Sequence, residues 1–119
     1  MTAASNYTED ERRRRLAKFR ASKSKLVSAK EYENPTGKVL VFNSNKCNPE
    51  YQGKFGSVVQ YTVYDPELGM ERIVNASALS YVDAVEEILA KMPSGTDVKI
   101  RMKKTGIGSE TRYSAELVN

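Results

Sequence analysis

Three basic residues alternate with apolar ones in a short stretch near the end of the chain. Lys99, Arg101 and Lys103 would share one face of a β-strand at intervals of about 7 Å. No acidic residue interrupts the row. The interval is comparable to the spacing of phosphates along an extended nucleic-acid strand. An ordinary solvated strand face is the competing interpretation, because basic side chains are mostly exposed in any protein.

Aromatic residues precede this row, and aromatic rings are platforms on which unpaired bases stack. Strand alternation places Tyr61 with two valines, which is typical of a core face, and places Tyr64 on the opposite face. Gly56 indicates a β-bulge that leaves Phe55 exposed. Membership of the core is the competing interpretation for each ring. The candidate nucleic-acid-binding residues are Tyr51, Lys54, Phe55, Gln60, Tyr61, Thr62, Tyr64, Arg72, Lys99, Arg101, Lys103, Lys104 and Arg112.

The composition excludes several kinds of catalysis. The chain has no histidine and one cysteine, Cys47, so a zinc site of the usual Cys/His kind and histidine acid–base catalysis are both excluded. Glu86 and Glu87 are neighbours on a predicted helix and diverge. No glycine-rich loop precedes a helix in a phosphate-binding pattern. We therefore expect no enzymatic activity, no cofactor and no metal, and a structural or incidental Cys47.

The net charge of +4 lies at the N-terminal end. Residues 1–36 carry nine basic and five acidic residues, whereas residues 37–119 carry ten of each. Thr8 and Glu11 have capping-box spacing, which predicts a short helix over about residues 8–21, followed by a linker. A basic arm on a neutral domain favours a polyanionic partner, although it could instead bind an acidic protein. The basic run of the arm is Arg12, Arg13, Arg14 and Arg15.

Hydrophobic patterning predicts five strands and one helix in residues 37–119. The predicted strands are 38–43, about 54–65, 70–76, 98–103 and 111–118, and the helix spans about 80–92. Ser80 and Asp83 have the spacing of a helix start, and residues 43–53 are predicted to form a polar loop. The order β-β-β-α-β-β is that of the OB-fold, a five-stranded barrel that commonly binds single-stranded nucleic acid. We predict an all-β barrel of this kind with one helix and a partly helical N-terminal arm.

Residues 38–117 resemble small OB-fold single-stranded DNA-binding proteins of the bacteriophage type. The resemblance is carried by Gly53-Lys54-Phe55-Gly56, Tyr61-Thr62-Val63-Tyr64-Asp65, Lys104-Thr105-Gly106 and Thr111-Arg112-Tyr113. It implies sequence-independent binding of single-stranded DNA in replication, recombination or repair. It also implies replication or recombination proteins as partners, and a homo-oligomer. The chain lacks the tryptophan that many of these proteins use for stacking, which leaves that role to tyrosine and phenylalanine.

Two other functions stay open on this sequence. One is an OB-like protein-interaction module or structural adaptor subunit of a viral or replication assembly, and the other is an RNA-binding module. No apolar run approaches the ~20 residues that cross a bilayer. The first residues also lack the apolar centre of a secretory signal. We therefore expect a cytoplasmic protein, in the host cytoplasm if it is viral, with no membrane partner.

Overall fold

The computed structural model describes residues 7–23, 25–54 and 56–119. Within these ranges the chain forms six antiparallel strands in one open sheet, together with two α-helices. The strands are β1 Lys38–Asn43, β2 Cys47–Gly53, β3 Gly56–Asp65, β4 Met70–Ala76, β5 Asp97–Thr105 and β6 Arg112–Leu117, and the helices are α1 Glu9–Lys23 and α2 Leu79–Leu89. Short 3₁₀ helices span Ala29–Glu33 and Gly108–Glu110. Neither α-helix of the described part is long and apolar enough to cross a membrane.

β3 and β1 organise the sheet. β3 pairs with β4 along one edge, and with β2 and then β1 along the other. β1 continues the sheet to β5, and β5 continues it to β6. No pairing between β4 and β6 occurs among the described residues, so the sheet is open there and α2 packs beside both strands. The mostly-β architecture is confirmed, whereas the sheet has one more strand than predicted and is not a closed barrel.

The core lies between the inward face of the sheet and α2. The predicted strands 38–43 and 70–76 coincide with β1 and β4, and the predicted alternation along β5 is confirmed. α2 buries one face of the helix, as its apolar spacing predicts. The largest fully buried side chains of the sheet and helix, apart from the charged Asp65, are Leu40, Phe42, Tyr61, Val63, Val85, Ile100 and Met102.

β2 replaces most of the loop predicted over residues 43–53. Its side chains are mainly exposed, so no alternation of apolar residues marks it as a strand. Its pairing with β3 is interrupted between Asn48 and Tyr51. Pro49 lies in this interruption, and β2 is an edge strand, which is where a strand tolerates a proline. The loop prediction was therefore wrong because an edge strand needs no buried face.

The two predicted helix starts have different outcomes. α1 begins after Thr8, whose hydroxyl accepts the backbone N–H of Glu11 at 3.1 Å, as predicted. α2 begins after Ala78, and Ser80 does not cap it. The Ser80 hydroxyl instead accepts the backbone N–H of Tyr113 on β6 at 3.2 Å. The predicted Ser80 cap was wrong, because this hydroxyl joins the helix to the sheet.

The segment after α1 packs on the sheet, although the sequence assigned it to a linker. Leu26 forms a parallel bridge with Ile73 of β4. The backbone N–H of Val27 donates to the Ile73 carbonyl at 2.9 Å, and the N–H of Ile73 donates to the Lys25 carbonyl at 2.8 Å. Residues 25–33 are thus structurally part of the domain.

Tyr32 anchors this segment in the core. Its side chain is 3% exposed, and its ring packs edge-on against Tyr81 and Tyr113 at centroid distances of 5.4 and 5.7 Å. Its hydroxyl lies 2.6 Å from that of Tyr81. Each buried hydroxyl therefore has a partner, as buried polar groups require. Burial raises the pKa of Tyr32 well above the ordinary value for tyrosine.

A cluster of buried charges lies beneath the same segment. Asp65 is fully buried, and its Oδ2 atom accepts from Lys38 Nζ at 2.9 Å and from Arg72 Nη1 at 3.2 Å. Its Oδ1 atom accepts the backbone N–H groups of Glu67 and Leu68 at 3.0 and 3.2 Å. One carboxylate therefore forms ion pairs with two buried cations and closes the turn between β3 and β4.

Arg72 extends the cluster to the N-terminal segment. Its guanidinium donates to both carboxylate oxygens of Glu31, with Nη2 lying 3.1 Å from Oε2. The same Nη2 donates to the carbonyl of Leu26 at 3.0 Å. A guanidinium suits this role because its planar fork binds a carboxylate with two parallel hydrogen bonds. The side chain is 4% exposed, so Arg72 belongs to the interior.

The cluster predicts a large difference between two acidic residues. Asp65→Ala should lower the free energy of unfolding by about 3–5 kcal/mol, because it leaves two buried cations without their shared counter-charge. Glu67→Gln should change it by less than about 1 kcal/mol, because the carboxylate of Glu67 is exposed although it lies 3.5 Å from Lys38. Equilibrium unfolding in urea measures both. Equal midpoints for the two variants would contradict the importance of the cluster.

Candidate nucleic-acid interface

The outward face of β3, β1 and β5 brings the predicted ring and cations together. Val41 on β1 lies directly opposite Tyr64 on β3 and directly opposite Lys99 on β5. Opposed residues project to the same face, and neighbouring strands lie about 4.8 Å apart. The backbones of Tyr64 and Lys99 are therefore about 10 Å apart, with Val41 between them. Tyr64 is 45% exposed, and Lys99 is also exposed.

The three alternating cations lie on the outward face of β5. Ile100 and Met102 are fully buried between them, which fixes the opposite orientation of Lys99, Arg101 and Lys103. Within the described residues, neither lysine forms an ion pair. Arg101 lies 3.7 Å from Glu116 on β6, so its charge is partly balanced. The strand thus presents a row of positive charge, which we call the β5 row, leading away from Tyr64.

Further candidates surround these residues on the same face. Gln60 and Thr62 follow the alternation that exposes Tyr64, and the Gln60 amide donates to Asn75 on β4 at 3.0 Å. Arg112 lies opposite Thr105 and extends the β5 row at its far end. Gln60, Thr62 and Arg112 therefore lie on the same face of the sheet as Tyr64 and the β5 row.

Two candidates lie in the interior instead. Tyr61 is 1% exposed, packs edge-on against Phe42, and donates its hydroxyl to Glu86 at 2.9 Å. Burial, and then the hydrogen bond with Glu86, raise the pKa of Tyr61 well above its ordinary value. Arg72 belongs to the buried charge cluster. Neither side chain can reach a ligand on the outward face, and for Tyr61 the core interpretation is the one that agrees with the structure.

The remaining sheet candidates lie apart from the β5 row. Lys104 donates to Glu33 at 3.1 Å and is thereby held against the N-terminal segment. Tyr51 lies opposite Val58 in the β2–β3 hairpin and is 36% exposed, and Lys54 follows it at the exposed tip. Phe55 lies outside the described residues. The hairpin is therefore a second place at which a ring and a cation lie close in sequence.

Some residues on this face were missed by the sequence interpretation. A groove beside Tyr64 is lined in part by Lys46, Glu71 and Asp97. Lys46 Nζ lies 3.4 Å from Glu71, and both side chains are mostly exposed. Lys46 was overlooked because it lies in the predicted loop, where no strand pattern indicated its direction. The face therefore contains acids as well as bases, and its positive charge is concentrated along β5.

The arginines of the arm lie on the exposed surface of α1. Arg12 forms an ion pair with Glu9 at 3.2 Å, and the Arg15 guanidinium lies 4.4 Å from the ring centre of Tyr7. Arg13 and Arg14 are exposed and form no ion pair within the described residues. The arm thus carries its charge separately from the β5 row.

Comparison of the chain with protein-family models, with curated proteins and with solved structures gives no match in any of the three. What this face can bind therefore follows from its own residues. It offers an exposed ring, a row of cations on a rigid strand and polar side chains that donate and accept hydrogen bonds. Such a surface suits an extended polyanion that carries planar groups.

Proposed function

We propose that this protein binds single-stranded DNA without sequence preference, through the outward face of β3, β1 and β5. The observation that carries the proposal is the register that sets Tyr64 and Lys99 on either side of Val41. Sequence-independent binders combine a positively charged path for the backbone with aromatic rings on which bases stack. Protection of exposed strands in replication, recombination or repair is the corresponding role.

The strand pairing supports an OB-like architecture as part of this proposal. Without β2, the strands pair in the order β4–β3–β1–β5–β6, and α2 lies between β4 and β6. An OB-fold is a five-stranded, partly open barrel, and the face of its second and third strands binds oligonucleotides. β3 and β4 would be those strands, which puts Tyr64 on the binding face. β2 would then be an elaboration of the first connection.

The proposed binding mode assigns a separate task to each part of the face. A base stacks on Tyr64, and phosphates follow the β5 row. Contacts with phosphates carry no sequence information, and stacking accepts any base. Weak sequence preference is therefore expected, together with strong dependence of the affinity on salt concentration.

The stacking contact can be tested by two changes at one position. Tyr64→Ala should weaken binding to oligo-dT by about 1–3 kcal/mol, or roughly 5- to 150-fold, because the base loses its stacking platform. Tyr64→Phe retains the ring and should bind nearly as the parent does. Fluorescence anisotropy measures the affinities, and circular dichroism checks the fold. A folded Tyr64→Ala variant with parental affinity would exclude this face.

The β5 row can be tested through the salt dependence of binding. On a single strand, each phosphate that the protein no longer neutralises should lower the log–log salt slope by ~0.7. Neutralising Lys99 and Lys103 to glutamine should therefore reduce both the affinity and the slope, the latter by about 1.4. Neutralising Lys30 and Lys91, which are exposed elsewhere, makes the same change in net charge and should reduce the slope much less.

The type of ligand is tested with the same assay on oligo-dT, oligo-rU and duplex DNA at two salt concentrations. Preference for both single strands over the duplex supports the proposed mode. Stronger binding of oligo-rU would favour an RNA-binding role. Absence of binding to all three at low salt would overturn the proposal and favour a protein-interaction role.

A further inference from the structure

The exposed surface of α1 combines apolar and basic side chains. Every side chain of α1 that the structure describes is exposed. Leu16 and Phe19 are 37% and 59% exposed, and their spacing of three residues makes them neighbours on one side of the helix. Arg12 and Arg13 lie on the same side, one turn before Leu16. This side of α1, which we call the arm face, is an apolar pair bordered by guanidinium groups.

A groove between α2 and β6 combines apolar and acidic side chains. Its volume is about 530 Å³, and its apolar lining includes Ile88 on the helix and Leu117 on the strand, the latter 43% exposed. Asp83 and Glu87 border it one helical turn apart. Lys91 also lines the groove and lies 3.9 Å from Glu87, whereas Asp83 forms no ion pair within the described residues, so acidic side chains outnumber basic ones at this border. The groove therefore joins an apolar strip to a carboxylate border.

We propose that the arm face of one copy of this protein docks into the α2–β6 groove of a second copy. Leu16 and Phe19 would cover the apolar strip, while Arg12 and Arg13 would approach Asp83 and Glu87. The arm face fits within the length of α2, because the seven residue steps from Arg12 to Phe19 span about 10 Å and the 11 residues of α2 span about 16 Å. The arm face of a second copy thus complements the groove both in charge and in apolar surface.

The connection of α1 to the domain favours a second copy over the same copy. A single residue separates Lys23, the last of α1, from Lys25, whose carbonyl accepts a hydrogen bond from β4. The short connection therefore gives α1 little freedom to reach α2 of its own copy. Each copy offers one arm face and one groove, so the contact is heterologous and joins copies head to tail. It needs no nucleic acid, and it is independent of the proposed function.

The experiment is sedimentation velocity of the full chain without nucleic acid, over a range of protein and salt concentrations. We expect association that rises with protein concentration and weakens as salt screens the charges. Arg12→Glu with Arg13→Glu should reduce the association constant at least tenfold, and Asp83→Arg with Glu87→Arg should do the same. Mixing the two variants should restore association, because one arm face and one groove in the mixture keep their original charges.

A matched control separates the groove from net charge. Glu50→Arg with Glu110→Arg changes two exposed acids outside the groove and should leave association unchanged, with circular dichroism confirming the fold of every variant. A full chain that stays monomeric at low salt would overturn the proposal. Failure of the mixture to restore association would also overturn it. The proposal would also be overturned if the variant Arg12→Glu with Arg13→Glu bound oligo-dT more weakly but self-associated as the parent does.

Discussion

The buried carboxylate of Asp65 is the constraint on which the rest of the fold depends. A charge removed from water is tolerated only with close counter-charges and full hydrogen bonding. Lys38 supplies one such charge from the start of β1, and Arg72 supplies the other from β4. Glu31 then balances Arg72 from the N-terminal segment. Two parts of the chain that are distant in sequence, residues 31–38 and residues 65–72, must therefore come together to form the cluster.

The ion pair between Asp65 and Lys38 also affects the outward face of the sheet. Asp65 directly follows Tyr64, and alternation along β3 turns one side chain inward and the other outward. Because Lys38 at the start of β1 binds Asp65 at the end of β3, the two strands are held where Val41 meets Tyr64. The position of the exposed ring relative to the β5 row is thus set by an ion pair on the opposite side of the sheet. A slip of one residue would exchange the two faces.

Local patterns in the sequence predicted the elements that bury apolar surface. β1 has a continuous apolar run, β5 alternates, and α2 has an apolar face, so these elements follow from the sequence alone. β2 does not, because its stability comes from pairing with β3 and not from burial. Tyr32 was also missed, since one buried ring in a polar segment has no periodicity. Arg72 resembled a surface cation because its partner Glu31 is far away in sequence.

The tyrosines of this protein provide two spectroscopic signals, near-ultraviolet circular dichroism and fluorescence. The chain has seven tyrosines and no tryptophan. Tyr32, Tyr81 and the partly buried Tyr113 pack edge-to-face against one another, whereas Tyr64 projects from the surface. Near-ultraviolet circular dichroism reports fixed side-chain packing and disappears when that packing is lost. Its signal should therefore follow the docking of residues 25–33, while quenching of tyrosine emission by added bases follows the outward face.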